Sequence, residues 1–286
     1  MCGILGIISN EVVTQKSFSK FEYLLTLSET RGKEASGLCV LSSENYDKVN
    51  IIKSNLPPSK LIKQKNYKNL KKEIFKKNLN KFVAIGHARM VTDGDENYPN
   101  NNQPVETKNL IGIHNGIICN FKDIIKKNLF KKDLELDSEV LFRLVEKINN
   151  SKFQNSYLAD SVIRSFNEIE GVANVAILNK NYSEIILATN NGSIFCFQNE
   201  KSIVFASELL ILSQYTKKFN IGDYNKIKKL EPQNLIHINY ETNKIFKKNF
   251  NENIKIPLIN KTNVESKTNN IIKEEKIEKK FNLNLK

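Results

Sequence analysis

The chain has 286 residues, 40% of them hydrophobic, so one large domain or two ordinary ones can bury a substantial core. Its formal net charge is +13, but the lysines are spread along the chain among many asparagines. Such a bias does not build the single basic face that nucleic acid requires, so no nucleic-acid partner is expected, while small anionic acceptors such as sugar phosphates stay compatible.

Residues 3–9 form an apolar run that reads as a buried strand; it is far too short to span a bilayer, and no basic segment precedes it. No leader and no membrane segment are therefore expected, and a soluble cytoplasmic protein is the default. Residues 15–30 place Phe18, Phe21, Leu24, Leu25 and Leu27 at helical spacing. Arg31-Gly32 closes that helix. Extended structure resumes over 37–41 and again over 48–53. Residues 54–80 are rich in Lys and Asn and are broken by Pro57-Pro58, which predicts a loop and one or two short helices. Residues 82–85 read as a strand leading into Gly86-His87-Ala88-Arg89. A polar loop over 92–104 follows, then a strand over 110–114 that ends at Asn115-Gly116.

Helices are expected near 121–128, 137–149 and 157–169. Strands are expected at 172–178, 184–188, 193–197 and 203–206, with a final one at 235–238. From residue 242 the sequence turns polar and weakly patterned, which predicts a solvated tail or a docking arm. Helices that bracket two blocks of short strands point to a layered sandwich; the pattern alone leaves three or four layers open.

Four cysteines, Cys2, Cys39, Cys119 and Cys196, lie far apart with no CxxC pairing. Neither a zinc site nor a disulfide framework is expected. Cys39 and Cys196 sit in apolar runs and read as small core residues. Cys2 is different. Removal of Met1 would leave a thiol and an α-amine on one residue, with ordinary pKa values near ~8.5 and ~8. The amine can then serve as general base for its own nucleophile.

Three motifs accompany Cys2: Arg31-Gly32-Lys33-Glu34-Ala35-Ser36-Gly37; Gly86-His87-Ala88-Arg89-Met90-Val91-Thr92 with Asn102-Gln103-Pro104 after it; and His114-Asn115-Gly116-Ile117-Ile118-Cys119-Asn120, followed by Asp137-Ser138-Glu139. In this order the chain resembles the glutaminase domain of class II glutamine amidotransferases, the type found in amidophosphoribosyltransferase and in glutamine–fructose-6-phosphate aminotransferase. Glu170-Gly171, Ala206-Ser207-Glu208 and Leu230-Glu231-Pro232 fit the same resemblance. It covers residues 2–241 as the glutaminase domain and leaves 242–286 as the tail.

The resemblance implies an α+β fold, a four-layer αββα sandwich of the N-terminal-nucleophile hydrolase type. It implies that the Cys2 thiolate attacks the side-chain amide of L-glutamine, giving a thioester that water hydrolyses to glutamate. It places the Asn115 side chain and the Gly116 N–H at the oxyanion, Arg89 and Thr92 at the α-carboxylate end, and Asp137 at the α-ammonium. Arg31 is implied as a support beside the N-terminal strand. The residues themselves also admit other readings: Asn115-Gly116 as a hairpin turn, Arg89 as a solvated surface side chain, Asp137 as a helix N-cap. His87 and His114 read as hydrogen-bonded core residues, since Cys2 supplies its own base. Two positions depart from the sugar-phosphate-aminating branch: Met90 stands where that branch often has Trp, and Asp93 where it often has His.

Fewer than about fifty residues follow position 240, too few for a synthase domain, and no phosphate-cradling loop is present. The expectation is therefore a separate glutaminase subunit that passes ammonia to a synthase partner, with no cofactor, no metal and no membrane partner. The alternatives are a free-standing N-terminal-nucleophile amidohydrolase for another amide, and a non-catalytic regulatory subunit.

Overall fold

The computed structural model describes residues 2–41, 48–90, 98, 101–130, 136–150 and 157–251. In chain order its strands are β1 (Gly3–Ser9), β2 (Ala35–Leu41), β3 (Val49–Ser54), β4 (Phe82–Arg89), β5 (Val105–Glu106), β6 (Leu110–Ile118), β7 (Gly171–Asn179), β8 (Glu184–Thr189), β9 (Phe195–Gln198), β10 (Ser202–Ala206), β11 (Lys228–Lys229), β12 (Asn234–Asn239) and β13 (Lys244–Asn249). The helices are α1 (Gln15–Leu27), α2 (Pro58–Leu61), α3 (Lys65–Phe75), α4 (Phe121–Asn128), α5 (Asp137–Asn150), α6 (Leu158–Glu168) and α7 (Leu209–Phe219).

The strands form two sheets, one ordered β11-β9-β10-β1-β4-β2-β3 and the other β13-β12-β8-β7-β6-β5. Their pairings are antiparallel. Period-two alternation divides each strand between two cores. On β1, Leu5 and Ile7 pack under α1 and α7, whereas Ile4 and Ile8 face the second sheet. On β6, Leu110 packs under α5 and α6, whereas Ile111 and Ile113 face the first sheet. A strand buried on both faces must be apolar throughout, which is why residues 3–9 read as a continuous run. The result is helices, sheet, sheet, helices: the expected αββα sandwich.

Helix α1 starts at a capping box, with Thr14 and Ser17 each satisfying the other's backbone N–H. It buries Phe18, Phe21, Leu24 and Leu25, and the Phe18 ring meets Phe82 of β4 edge-on with centroids 5.1 Å apart. Each such side chain contributes about 1.5–3 kcal/mol on burial. Helix α5 buries the predicted Val140, Leu141, Leu144 and Val145 together with Phe142, whose ring occupies the space a side chain on Gly112 would need.

Three features differ from the sequence reading. Strand β6 does not stop at Asn115-Gly116; those residues pair with Asn174 and Ala173 of β7, and the strand runs on to Ile118. The hairpin-turn reading of Asn115-Gly116 is thereby replaced. Helix α7 follows β10 where no helix was expected. The strand over 235–238 is not the last, because β13 pairs with it and buries Phe250 nearby. Residues 244–249 therefore belong to the sheet rather than to a tail. The remainder of the expected tail, 252–286, lies outside the described residues.

Candidate active site

Cys2 directly precedes β1, whose position between β10 and β4 is fixed at this end by Ser207. The Ile4 N–H donates to Ser207 Oγ at 2.8 Å, and the Ser207 N–H donates to the Ile4 carbonyl at 3.0 Å. Arg31 reaches the same place from the end of the α1 segment. Its Nε donates to the Cys2 carbonyl at 3.4 Å, and its Nη1 donates to Glu208 Oε1 at 2.6 Å. Gly32 lets this segment lie against the end of β4, since a Cβ there would sit 2.2 Å from the Arg89 carbonyl carbon.

The Cys2 Sγ lies 3.4 Å from the Met90 carbonyl oxygen. Burial pushes the thiol pKa up; the Met90 main chain, the N-terminal charge and Arg89 pull it down, and Asp137 pushes it up again. A cation and an anion thus both lie within electrostatic reach of the sulfur. Arg89 is 5% exposed, and its Nη1 donates to Asn102 Oδ1 at 2.6 Å. The solvated reading of Arg89 is excluded by that burial. Cys39 lies between the sheets and Cys196 packs at their margin; burial pushes both thiols to about 12, which keeps them protonated and inert.

Across the gap, β6 presents Asn115 and Gly116. Asn115 is 1% exposed, and its Oδ1 is buried with no hydrogen-bond partner. Its position continues the inward-facing series Ile111, Ile113. Its main-chain carbonyl accepts from Asn174 Nδ2 at 2.9 Å. Gly116 is required by close approach: a Cβ would lie 1.8 Å from the Val172 carbonyl oxygen.

Asp137 is the first residue of α5 itself, not its N-cap. Its Oδ2 accepts from the Ile118 N–H at 2.9 Å, which ties the start of α5 to the end of β6. His114 is buried and hydrogen-bonded, with Nδ1 2.9 Å from Ser138 Oγ and Nε2 3.3 Å from the Val172 carbonyl. Burial lowers its pKa, against the opposing pull of Asp137 and of that carbonyl. His87 is fully buried, but neither ring nitrogen makes a hydrogen bond of ordinary geometry, contrary to expectation. Burial pushes its pKa down to about 3. Thr92 lies outside the described residues.

The chain as a whole is similar to known proteins. A family model described as a glutamine amidotransferase domain matches residues 87–214. The glutamine–fructose-6-phosphate aminotransferase (isomerizing) of Helicobacter pylori is 29% identical over 245 residues, which cover 84% of this chain and 38% of that protein. The enzyme of the same name from Thermotoga maritima is 27% identical over 229 residues, covering 76% and 33%. Among solved structures, the glutamine phosphoribosylpyrophosphate amidotransferase from B. subtilis aligns with a TM-score of 0.61 at 22% identity, over 88% of this chain and 50% of that one. The chain carries a class II glutamine amidotransferase glutaminase domain.

A glutamine aminotransferase class-II domain protein from Silicibacter pomeroyi shares the fold of this glutaminase domain, with a TM-score of 0.51 at 13% identity over 86% of this chain and 98% of that one. The chain spans about a third of the length of the curated aminotransferases. Among the described residues no helix is long and apolar enough to cross a membrane, and no group of three His, Cys, Asp or Glu could hold a metal ion.

The sequence reading gave no role to Asn102, Gln103, Ser138, Ser207 or Glu208, whose hydrogen bonds hold the candidate site together. Their signal was position. Each stands inside one of the motifs that carry the resemblance, and Ser138 adjoins Asp137.

Proposed function

We propose that this chain hydrolyses the side-chain amide of L-glutamine and delivers the ammonia to a synthase site. The observation that carries the reading is that one cation, Arg89, and one anion, Asp137, both act electrostatically on the Cys2 thiol. Glutamine is a zwitterion, and a site that selects it needs a cation for the carboxylate and an anion for the ammonium. Arg89 takes the first, aided by the Thr92 hydroxyl, and Asp137 the second.

With Met1 removed, the Cys2 α-amine accepts the thiol proton. The thiolate attacks the amide carbon and the carbonyl π pair moves onto oxygen. The Asn115 amide N–H and the Gly116 N–H stabilise that oxyanion. When it collapses, the ammonium formed by Cys2 gives its proton to the amide nitrogen, the C–N bond breaks and ammonia departs. Water then attacks the γ-glutamyl thioester, releasing glutamate and the thiol. Arg31 keeps the Cys2 main chain in place.

The acceptor is read as a sugar phosphate, supported by the similarity to enzymes named for fructose-6-phosphate and phosphoribosylpyrophosphate. The synthase is read as a separate subunit in the cytoplasm, where the thiol stays reduced. The test is the intact mass of the purified protein before and after a diazo-ketone analogue of glutamine. Loss of Met1 and one adduct on Cys2, prevented by glutamine, is expected. A retained Met1 or an unlabelled Cys2 would sink the glutaminase reading and favour a regulatory subunit.

A further inference from the structure

Ser138 lies between three groups that belong to different parts of the site. Its Oγ is 3.1 Å from Asp137 Oδ1, 2.9 Å from His114 Nδ1 and 3.2 Å from Gln103 Nε2. Three of the four side chains are buried, Ser138 at 3% exposure, His114 at 2% and Gln103 at 7%, and Asp137 is half-buried beside them. Gln103 is itself clamped to β6, donating to the His114 carbonyl at 3.1 Å and accepting from the His114 N–H at 2.5 Å.

The proton count narrows the roles. The Val172 carbonyl can only accept, so a neutral His114 carries its proton on Nε2 and presents Nδ1 as an acceptor. The Gln103 amide donates to Ser138 Oγ. The single Ser138 proton therefore has two candidate acceptors, His114 Nδ1 and Asp137 Oδ1. Asp137 Oδ2 is engaged by the Ile118 N–H, so Oδ1 is the oxygen with capacity to spare. A carboxylate held at one oxygen by the main chain and at the other by an adjustable hydroxyl is aimed rather than free to rotate.

We infer that Ser138, anchored by Gln103 and His114, is a positioning residue that orients Asp137 toward the α-ammonium of the substrate and thereby sets selectivity for α-amino amides. The inference rests on the glutaminase reading and deepens it. His114 and Gln103 act through Ser138, not on the substrate. The same cluster links the ammonium-binding end to β6, two residues upstream of Gly116.

The test uses the full chain with Ser138→Ala, Ser138→Cys and Ser138→Thr. KM and kcat are measured for glutamine, together with competition by glutaramate, which is glutamine without its α-amino group. The alanine variant is expected to raise KM for glutamine about tenfold with kcat changed less than about twofold. Inhibition by glutaramate should stay within about twofold of wild type, and Thr should restore KM. The Cys variant, close in volume but a weaker donor, gives the same reading should Ala fail to fold. An equal weakening toward glutamine and glutaramate, or a loss confined to kcat, would overturn the inference and leave the glutaminase reading intact. A wild-type protein that does not hydrolyse glutamine would overturn both.

Discussion

Arg31 and Glu208, 177 positions apart in the chain, meet through an Nη1–Oε1 contact of 2.6 Å at the entrance to the first strand. The same guanidinium holds the Cys2 carbonyl, so the pair connects the nucleophile to the start of α7. Their side chains are 17% and 35% exposed, and an ion pair so placed contributes at most about 1 kcal/mol to stability. Its value lies in orientation. Glu208→Ala should leave the thermal midpoint within a few degrees of wild type but slow the labelling of Cys2 several-fold. Labelling at the wild-type rate would detach the pair from the site.

Arg89 closes β4 with its guanidinium held by Asn102. A planar fork recognises a carboxylate through two parallel hydrogen bonds, which an ammonium cannot copy. Arg89→Lys should therefore raise KM for glutamine at least about tenfold, nearly as much as Arg89→Ala. Asn102→Ala should act in the same direction and less strongly, because Arg89 keeps its charge. Steady-state KM values for the three variants check this. A lysine variant with unchanged KM would show that Arg89 serves as a point charge only.

Asn115 and Gly116 should separate catalysis from stability. The Asn115 Oδ1 has no partner in the fold, so its removal breaks no hydrogen bond there. Asn115→Ala should lower kcat by ~10²–10³, the usual cost of one oxyanion donor. Gly116→Ala forces a methyl group against the Val172 carbonyl, so β6 and β7 must part locally. It should lower kcat and also cost roughly 1–3 kcal/mol of stability. Urea midpoints beside kcat values distinguish the two. Equal destabilisation by both variants would argue that Asn115 is structural.

Much of this arrangement was legible in the residues. The αββα layering followed once the motif order had identified the family, and α1 and α5 were visible from 3.6-residue periodicity. What stayed hidden depends on tertiary pairing. Asn115-Gly116 carries the composition of a turn, and only the neighbouring β7 makes it continue as strand. Residues 244–249 are Lys- and Asn-rich and read as solvated, yet an edge strand is expected to be polar and charged, as β13 is. Helix α7 begins with four consecutive apolar residues, which show neither period at their start. The supporting side chains Gln103, Ser138 and Glu208 act across long sequence separations, which no local pattern encodes.

His87 supplies a pH dependence whose sign is fixed. Burial is the main cause that pushes its pKa down to about 3, with the charges of Arg89 and His114 acting in the same direction. In the unfolded chain a histidine takes up a proton below about 6.5, whereas the fold refuses it until about pH 3. Between these values the unfolded state binds more protons, so stability rises with pH and is lost as pH falls below about 6.5. One such group costs about 1.4 kcal/mol per pH unit, or roughly 2 kcal/mol by pH 5. His114, also lowered by burial, adds to the same slope. Urea midpoints at pH 7.5 and 5.0 should therefore fall in wild type, and fall less in His87→Gln, which has no proton to gain. Identical losses in the two proteins would show that His87 is not held neutral by the fold.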